Sequence, residues 1–236
     1  MKLSIIVCAY NEKNTILTVL ERIQAVDFGS DVEKEIIVVD NCSTDGTRDL
    51  LKTITAPNVK VIYQPRNMGK GMSIRTGFAH SSGEYAVIQD ADLEYHPNEL
   101  PKLLNEARRH NAAAVFGSRV LGGHAKYKYA HAYLGVRVLT TITNVLFGGA
   151  LTDVATAIKM VKVDVFQKLN LVCSGFDLDF ELPDKLLLAG YAIREVAIDY
   201  MPRTYEEGKK IQVSDGLRAV MIMLRDRIGL SKVMKG

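Results

Sequence analysis

An α/β fold is predicted for this chain: one domain whose mainly parallel sheet carries helices on both faces. Three observations lead to it. Through the first half, apolar β-rich runs alternate with segments of helical spacing, the rhythm of βαβ units. The runs are nearly continuous in apolar residues, as strands buried on both faces must be. The polar motifs fall immediately after those runs, at the carboxyl ends of the strands, where such sheets bind ligands.

Taken in order, strands are expected at residues 3–9, 35–40, 59–63, 85–89 and 113–117. Helices are expected between them at 15–25, 47–54, 72–80 and 99–110, where apolar positions recur at helical intervals. From Ala150 onward the pattern is less regular. A short helix is expected at 164–169, a longer one at 182–189, a strand at 192–199 and a final amphipathic helix at 214–228. No repeat or low-complexity linker separates these parts, so a single domain is expected. The length of 236 residues suits one.

Composition bounds the function. An apolar fraction of 47% with 24% charged residues is that of an ordinary globular protein, and a net charge of +3 gives no reason to expect a nucleic-acid partner. Three cysteines without a CxxC pair suit a reduced, cytoplasmic setting and no disulfide framework, with Cys8 as a small core residue. The opening MKLSIIVCAYNE reads as a first strand rather than a signal peptide. No window approaches the apolar length of a membrane-spanning helix.

The stretch VIQDADLEYHP begins as a buried strand and then presents Asp90, Asp92 and Glu94. On an extended segment, residues two apart point the same way, so these acids are expected to converge on a hard divalent cation such as Mg²⁺ or Mn²⁺. VCAYNE and VVDNCSTDGT each end a strand with side chains that can grip a ligand: Tyr10, Asn11 and Glu12 in the first, Asp40 and Asn41 in the second. Ser43, Thr44 and Asp45 are placed to cap the next helix. The stretch YQPRNMGKGMSIRTGF has the look of a phosphate loop but fails its spacing, having Gln64 and Gly71 where a Walker loop needs Gly and Ser or Thr. Its glycines still permit close backbone approach, and Arg66, Lys70 and Arg75 add positive charge.

Between Ser118 and Thr152 there is no acid, while Arg119, Lys126, Lys128 and Arg137 stand there among tyrosines. That segment is expected to form a flexible basic loop over an anionic substrate. Arg203 and Lys209 form a second basic cluster after the last strand. HExxH, GxSxG and paired CxxC signatures are missing.

With these residues assembled, the chain resembles the family 2 nucleotide-sugar glycosyltransferases, in particular the dolichol-phosphate mannose synthases and related polyprenyl-phosphate enzymes. AYNE matches the family's P-x-YNE with Ala9 for Pro. VVDNCSTDGT matches VVDD-x-S-x-DGT with Asn41 for Asp, RNMGKGMSIRTGF matches RN-x-GKG…R-x-G, and DADLEYHP matches the metal motif. GSR, LTDVATAIKM and GFDLDFELPDKLLLAGY follow in the family order. TDVATAIK replaces TDP-x-SGFR, and RTYEEGKKI departs from R-x-x-G-x-SK.

The resemblance implies a GT-A fold with a Rossmann-like sheet, the nucleotide-sugar half at 1–118, an acceptor-side half at 119–213 and a C-terminal helix at 214–236. It implies a metal-dependent inverting transfer from a GDP- or UDP-linked sugar to a polyprenyl phosphate. Ala9, Tyr10, Glu12, Asp40, Asn41, Lys70, Asp90 and Ala91 are then expected at the nucleotide sugar, and Asp90, Asp92 and Glu94 at Mg²⁺ or Mn²⁺. Arg119, Arg137 and Arg203 are expected at phosphate. A phosphate acceptor needs no strong base; a hydroxyl acceptor does, and Asp179 is then the candidate, with Asp177 second. Both acids equally suit the N-terminal dipole of a helix. The alternatives are a hydroxyl acceptor on a soluble molecule or glycan, and a catalytically silent nucleotide-sugar binding module. The final helix places Leu217, Val220, Met221 and Leu224 on one face, suited either to packing on the domain or to a membrane interface, with a membrane partner subunit as another means of recruitment.

Overall fold

The computed structural model describes residues 1–121, 130–203 and 213–233. The strands are β1 (Lys2–Ala9), β2 (Glu33–Asp40), β3 (Val59–Tyr63), β4 (Tyr85–Asp90), β5 (Ala114–Ser118), β6 (Lys159–Lys162) and β7 (Ile193–Ala197). The helices are α1 (Ile16–Ala25), α2 (Thr47–Lys52), α3 (Lys70–His80), α4 (Leu100–His110), α5 (Ala130–Phe147), α6 (Val163–Lys168), α7 (Leu178–Leu188) and α8 (Val213–Val233).

Alternation along β1 decides the layering. Leu3, Ile5 and Val7 point into one apolar layer with α1 and α4, while Ile6 points into the other with α3, α6 and α7. Both faces are therefore covered, which is why the strand sequences are apolar throughout. Gly77 is where α3 crosses closest to the sheet: a Cβ there would lie 2.3 Å from Ile6 Cγ2.

Among the described residues the strands form one sheet in the order β3-β2-β1-β4-β6-β5-β7. All neighbours are parallel except β6, which runs antiparallel between β4 and β5. The connection from β1 leads to β2 on one side, whereas β4 flanks β1 on the other. The order reverses there, so a crevice opens beyond the carboxyl ends of β1 and β4.

Two elements depart from expectation. The segment expected as a flexible loop contains the 18-residue helix α5, whose buried Thr140, Thr143 and Phe147 pack toward α7 and α8. Lys126 and Lys128 lie outside the described residues. The four-residue strand β6 is too short to show a period, and pairing with two neighbours makes it.

Candidate active site

The chain leaves the sheet after β1, β2, β4 and β5, and these exits border a cleft of about 300 Å³. The first residues of α3, the start of α7 and Tyr200 with Arg203 complete its wall. Three non-glycine residues stand in the left-handed backbone region at these exits: Asn11 (φ 53°), Cys42 (φ 62°) and Leu93 (φ 64°). Asparagine tolerates that conformation; for leucine it is costly and persists only when the surroundings hold it. Here Asp92 Oδ1 accepts from the Glu94 N–H at 3.1 Å and closes the turn over Leu93.

That turn alters the expected arrangement of acids. The chain turns after Asp90; Asp90, Asp92 and Glu94 line the same cleft, but each is engaged by a different set of side chains. Asp90 accepts from Lys70 Nζ, at 2.9 Å to Oδ1 and 3.1 Å to Oδ2. Asp92 Oδ2 accepts from Arg203 Nη2 at 2.7 Å. Glu94 has both oxygens engaged, one by the Tyr200 hydroxyl at 2.8 Å and one by Arg203 Nε at 3.4 Å and the Arg203 backbone N–H at 3.1 Å. Arg203 Nη1 also reaches Glu12 at 3.4 Å, so one guanidinium joins three acids from separate parts of the chain.

Behind the cleft lies a residue the motifs do not single out. Lys159 of β6 is fully buried and donates to the Asp179 backbone oxygen at 2.8 Å and to Asp179 Oδ1 at 3.2 Å. Asp179 Oδ2 lies 3.8 Å from Lys70. Burial by itself favours the neutral carboxyl, yet Lys159 and Lys70 hold Asp179 below the usual carboxylate range. Asp179 is thus a bridge between two lysines rather than only an acid at a helix start. Asp177 is the N-cap of α7, and its Oδ1 accepts from Gly175 N–H at 2.9 Å. The available signal for Lys159 was a lone charge inside the apolar run AIKMV.

Arg119 is buried and held bidentately by Asp153, with Nε and Nη2 each 2.7 Å from a carboxylate oxygen. Its guanidinium also lies 5.2 Å from the centre of the Tyr200 ring. Ala9, Tyr10, Glu12, Asn41, Lys70 and Ala91 line the cleft as expected. Two expected residues do not. Asp40 is fully buried and turned to its own loop, accepting from Arg48 Nε at 2.7 Å and Ser43 N–H at 3.2 Å. Arg137 lies on the exposed surface of α5, outside the cleft lining. Lys209 is outside the described residues.

The N–H groups of Gly71 and Met72, which a phosphate would need, donate to the carbonyls of Gly175 and Ser174 at 3.1 and 3.0 Å. Gly69 and Gly71 both pack closely on the Ser174–Gly175 backbone, and Gly69 and Lys70 line the cleft. In the preceding loop, Gly46 rather than a side chain caps α2; Asp45 accepts from the Thr47 N–H at 2.9 Å, while Ser43 Oγ accepts from Asn11 N–H at 3.0 Å and ties two exits together.

Five carboxylates and three basic side chains line the cleft, a surplus of two negative charges that one divalent cation would cancel. Burial raises Asp90 and Asp92 above the usual carboxylate range, and an adjacent acid adds to each, Asp92 for Asp90 and Glu94 for Asp92. Among the described residues no three His, Cys, Asp or Glu side chains are grouped to hold a metal by themselves. Asp90 and Asp92 fit a hard cation that draws its remaining ligands from substrate phosphates, the usual manner of Mg²⁺.

Comparison with known proteins agrees with this geometry. Residues 4–169 match the family model for glycosyl transferase family 2. The low-salt glycan biosynthesis hexosyltransferase Agl6 of Haloferax volcanii is 29% identical over 224 residues, covering 94% of this chain and 53% of that protein, so the chain spans about half the length of that relative. The undecaprenyl-phosphate mannosyltransferase of Micrococcus luteus is 26% identical over 246 residues and matched over 97% of its length. Among solved structures, glucosyl-3-phosphoglycerate synthase from Mycobacterium tuberculosis, in complex with Mn²⁺, uridine diphosphate and phosphoglyceric acid, superposes with a TM-score of 0.71. It is 20% identical, and the superposition covers 96% of this chain and 78% of that one, a likeness of fold.

Proposed function

The chain belongs to glycosyltransferase family 2 and has the GT-A fold, and on that footing we propose that it moves a hexose from a GDP- or UDP-linked donor to a polyprenyl phosphate, with inversion at the anomeric carbon. The observation that carries this choice of acceptor is the state of Asp179. A hydroxyl acceptor must hand its proton to a base. Asp179 is the carboxylate best placed for that task, and it is committed to Lys159 and Lys70 and held in its ionised form. A group whose proton affinity is lowered in this way is a poor base. A phosphate monoester has a second pKa of about 6 and arrives already ionised, so the reaction needs none.

The remaining residues take roles that follow from their positions. Ala9, Tyr10, Glu12, Asn41 and Ala91 form the donor wall. Asp90 and Asp92 would hold Mg²⁺ or Mn²⁺, which when bound neutralises the diphosphate leaving group. Lys70 keeps Asp90 oriented. Arg119 and Arg203 place positive charge where an anionic acceptor approaches, with Asp153 and Glu94 fixing their orientation. Arg137, exposed on α5, lies outside the cleft wall.

The test compares a short polyprenyl phosphate with the matching polyprenol across a panel of nucleotide sugars, with and without Mn²⁺. Transfer to the phosphate alone is expected. Faster transfer to the alcohol would overturn the acceptor assignment and return Asp179 to the role of base. Asp92→Asn is expected to weaken Mn²⁺-dependent binding of the nucleoside diphosphate by roughly tenfold or more, about 1.4 kcal/mol; unchanged affinity would remove Asp92 from the metal.

A further inference from the structure

One surface of the molecule is left unexplained by the cleft. Helix α8 packs on the domain through Ala219, Met223 and Asp226, all buried. Its opposite side exposes Leu217 (70%), Met221 (62%), Leu224 (47%) and Ile228 (63%). These positions follow i, i+4, i+7 and i+11, which is one continuous stripe on a helix. Arg218 and Arg227 are exposed on either side of it. The neighbouring helix α5, tied to α8 by the Thr143 hydroxyl on Met223 Sδ, exposes Leu134, Val138 and Val145 at similar spacing.

An apolar stripe of this kind is common to membrane surfaces, second copies and partner proteins, and charge separates them. Helix α5 contains no Asp or Glu. Across residues 216–229 of α8 the single acid, Asp226, is buried and paired with Arg225 at 2.7 Å. Among the side chains described, both faces therefore offer apolar groups and cations, with no exposed carboxylate. A self-complementary or mixed-charge protein contact needs acids to match its arginines; an anionic bilayer supplies acyl chains and negative headgroups together.

We infer that the exposed stripe of α8, flanked by Arg218 and Arg227, docks the enzyme on an anionic lipid surface, with α5 beside it. The arginine stems lie along the apolar side chains and their guanidinium groups reach the headgroups. The inference rests on the lipid-linked acceptor proposed above and supplies what that acceptor requires: an enzyme held where its polyprenyl chain is embedded. Among the described residues no helix is long and apolar enough to cross a membrane, so such contact would be made by a surface.

Co-sedimentation of the full chain with phosphatidylcholine vesicles, with and without phosphatidylglycerol, tests this. Pelleting with the anionic vesicles is expected, reduced by added salt. The double variant Met221→Asp/Leu224→Asp is expected to lower vesicle partition at least about tenfold, and Arg218→Glu/Arg227→Glu severalfold. All four positions are exposed, and an unchanged circular dichroism melt confirms that the variants fold. Equal pelleting of wild type and Met221→Asp/Leu224→Asp would overturn the inference. So would failure to pellet with any vesicle, or a solution dimer that the same double variant splits. Transfer to a short, water-dispersed polyprenyl phosphate separates the two readings. If the chain fails to dock yet transfers sugar, only the docking surface is lost; if it docks yet shows no transfer to phosphate, the acceptor assignment falls.

Discussion

Asp184 gives the sharpest quantitative test of the structure. It sits in α7, fully buried, and neither carboxylate oxygen has a hydrogen-bond partner among the described residues. Burial, reinforced by Asp226 of α8, pushes its carboxyl from an ordinary 3.8 up to about 8; Glu181 adds to the rise, while Lys159 and Arg225 partly oppose it. The unfolded chain releases this proton near pH 4, whereas the folded chain keeps it to about pH 8. Between those values the folded state binds the extra proton, so stability falls as pH rises through the window and levels off above it. Each unit of pH is worth about 1.4 kcal/mol, so this one group removes ~4 kcal/mol between pH 5 and 8. For a chain of this size that is roughly 8–16 °C in Tm. Asp184→Asn keeps the shape and removes the charge, and its melting temperature is expected to exceed that of wild type progressively from pH 5 to pH 8. The chain has no tryptophan, so far-UV circular dichroism is the suitable probe. Parallel Tm profiles for the two proteins, or a variant less stable at pH 8, would refute the assignment of an unpartnered buried acid.

Two further outcomes follow from the geometry. In Gly71→Ala the new Cβ would stand 2.7 Å from the Gly175 oxygen and 2.8 Å from the Ser174 carbonyl carbon, both backbone atoms; a loss of about 1–3 kcal/mol is expected by thermal melt, together with weaker nucleotide binding as Lys70 shifts. Asp153→Ala removes the bidentate partner of buried Arg119 and is expected to cost about 3–5 kcal/mol in urea unfolding, more than a surface ion-pair deletion.

The strands β1 to β5 were legible within one or two residues of their ends, because burial on both faces demands a continuous apolar run. The cleft's location was legible for the same reason: Tyr10, Glu12, Asn41, Asp90 and Asp92 follow those runs directly, and the topology brings the ends of parallel strands to one edge. Helix α5 was missed since its basic and tyrosine-bearing entry suggested a loop, while its buried side, with Thr140 and Thr143, is too polar to stand out as a stripe. Asp40 was placed on the ligand because it ends a strand; which way the carboxylate turns depends on Arg48, eight residues later.

Sequence by itself determined the family, the parallel sheet and the acids beyond β4, since these depend on short-range patterns and the order of motifs. Only the tertiary structure decided how the charges are shared. Lys159 meets Asp179 across 20 residues, and Arg203 meets Glu12 across 191. Such pairings are set by how far apart the fold leaves two charged groups and how little water lies between them, and neither quantity is written in the local spacing of residues.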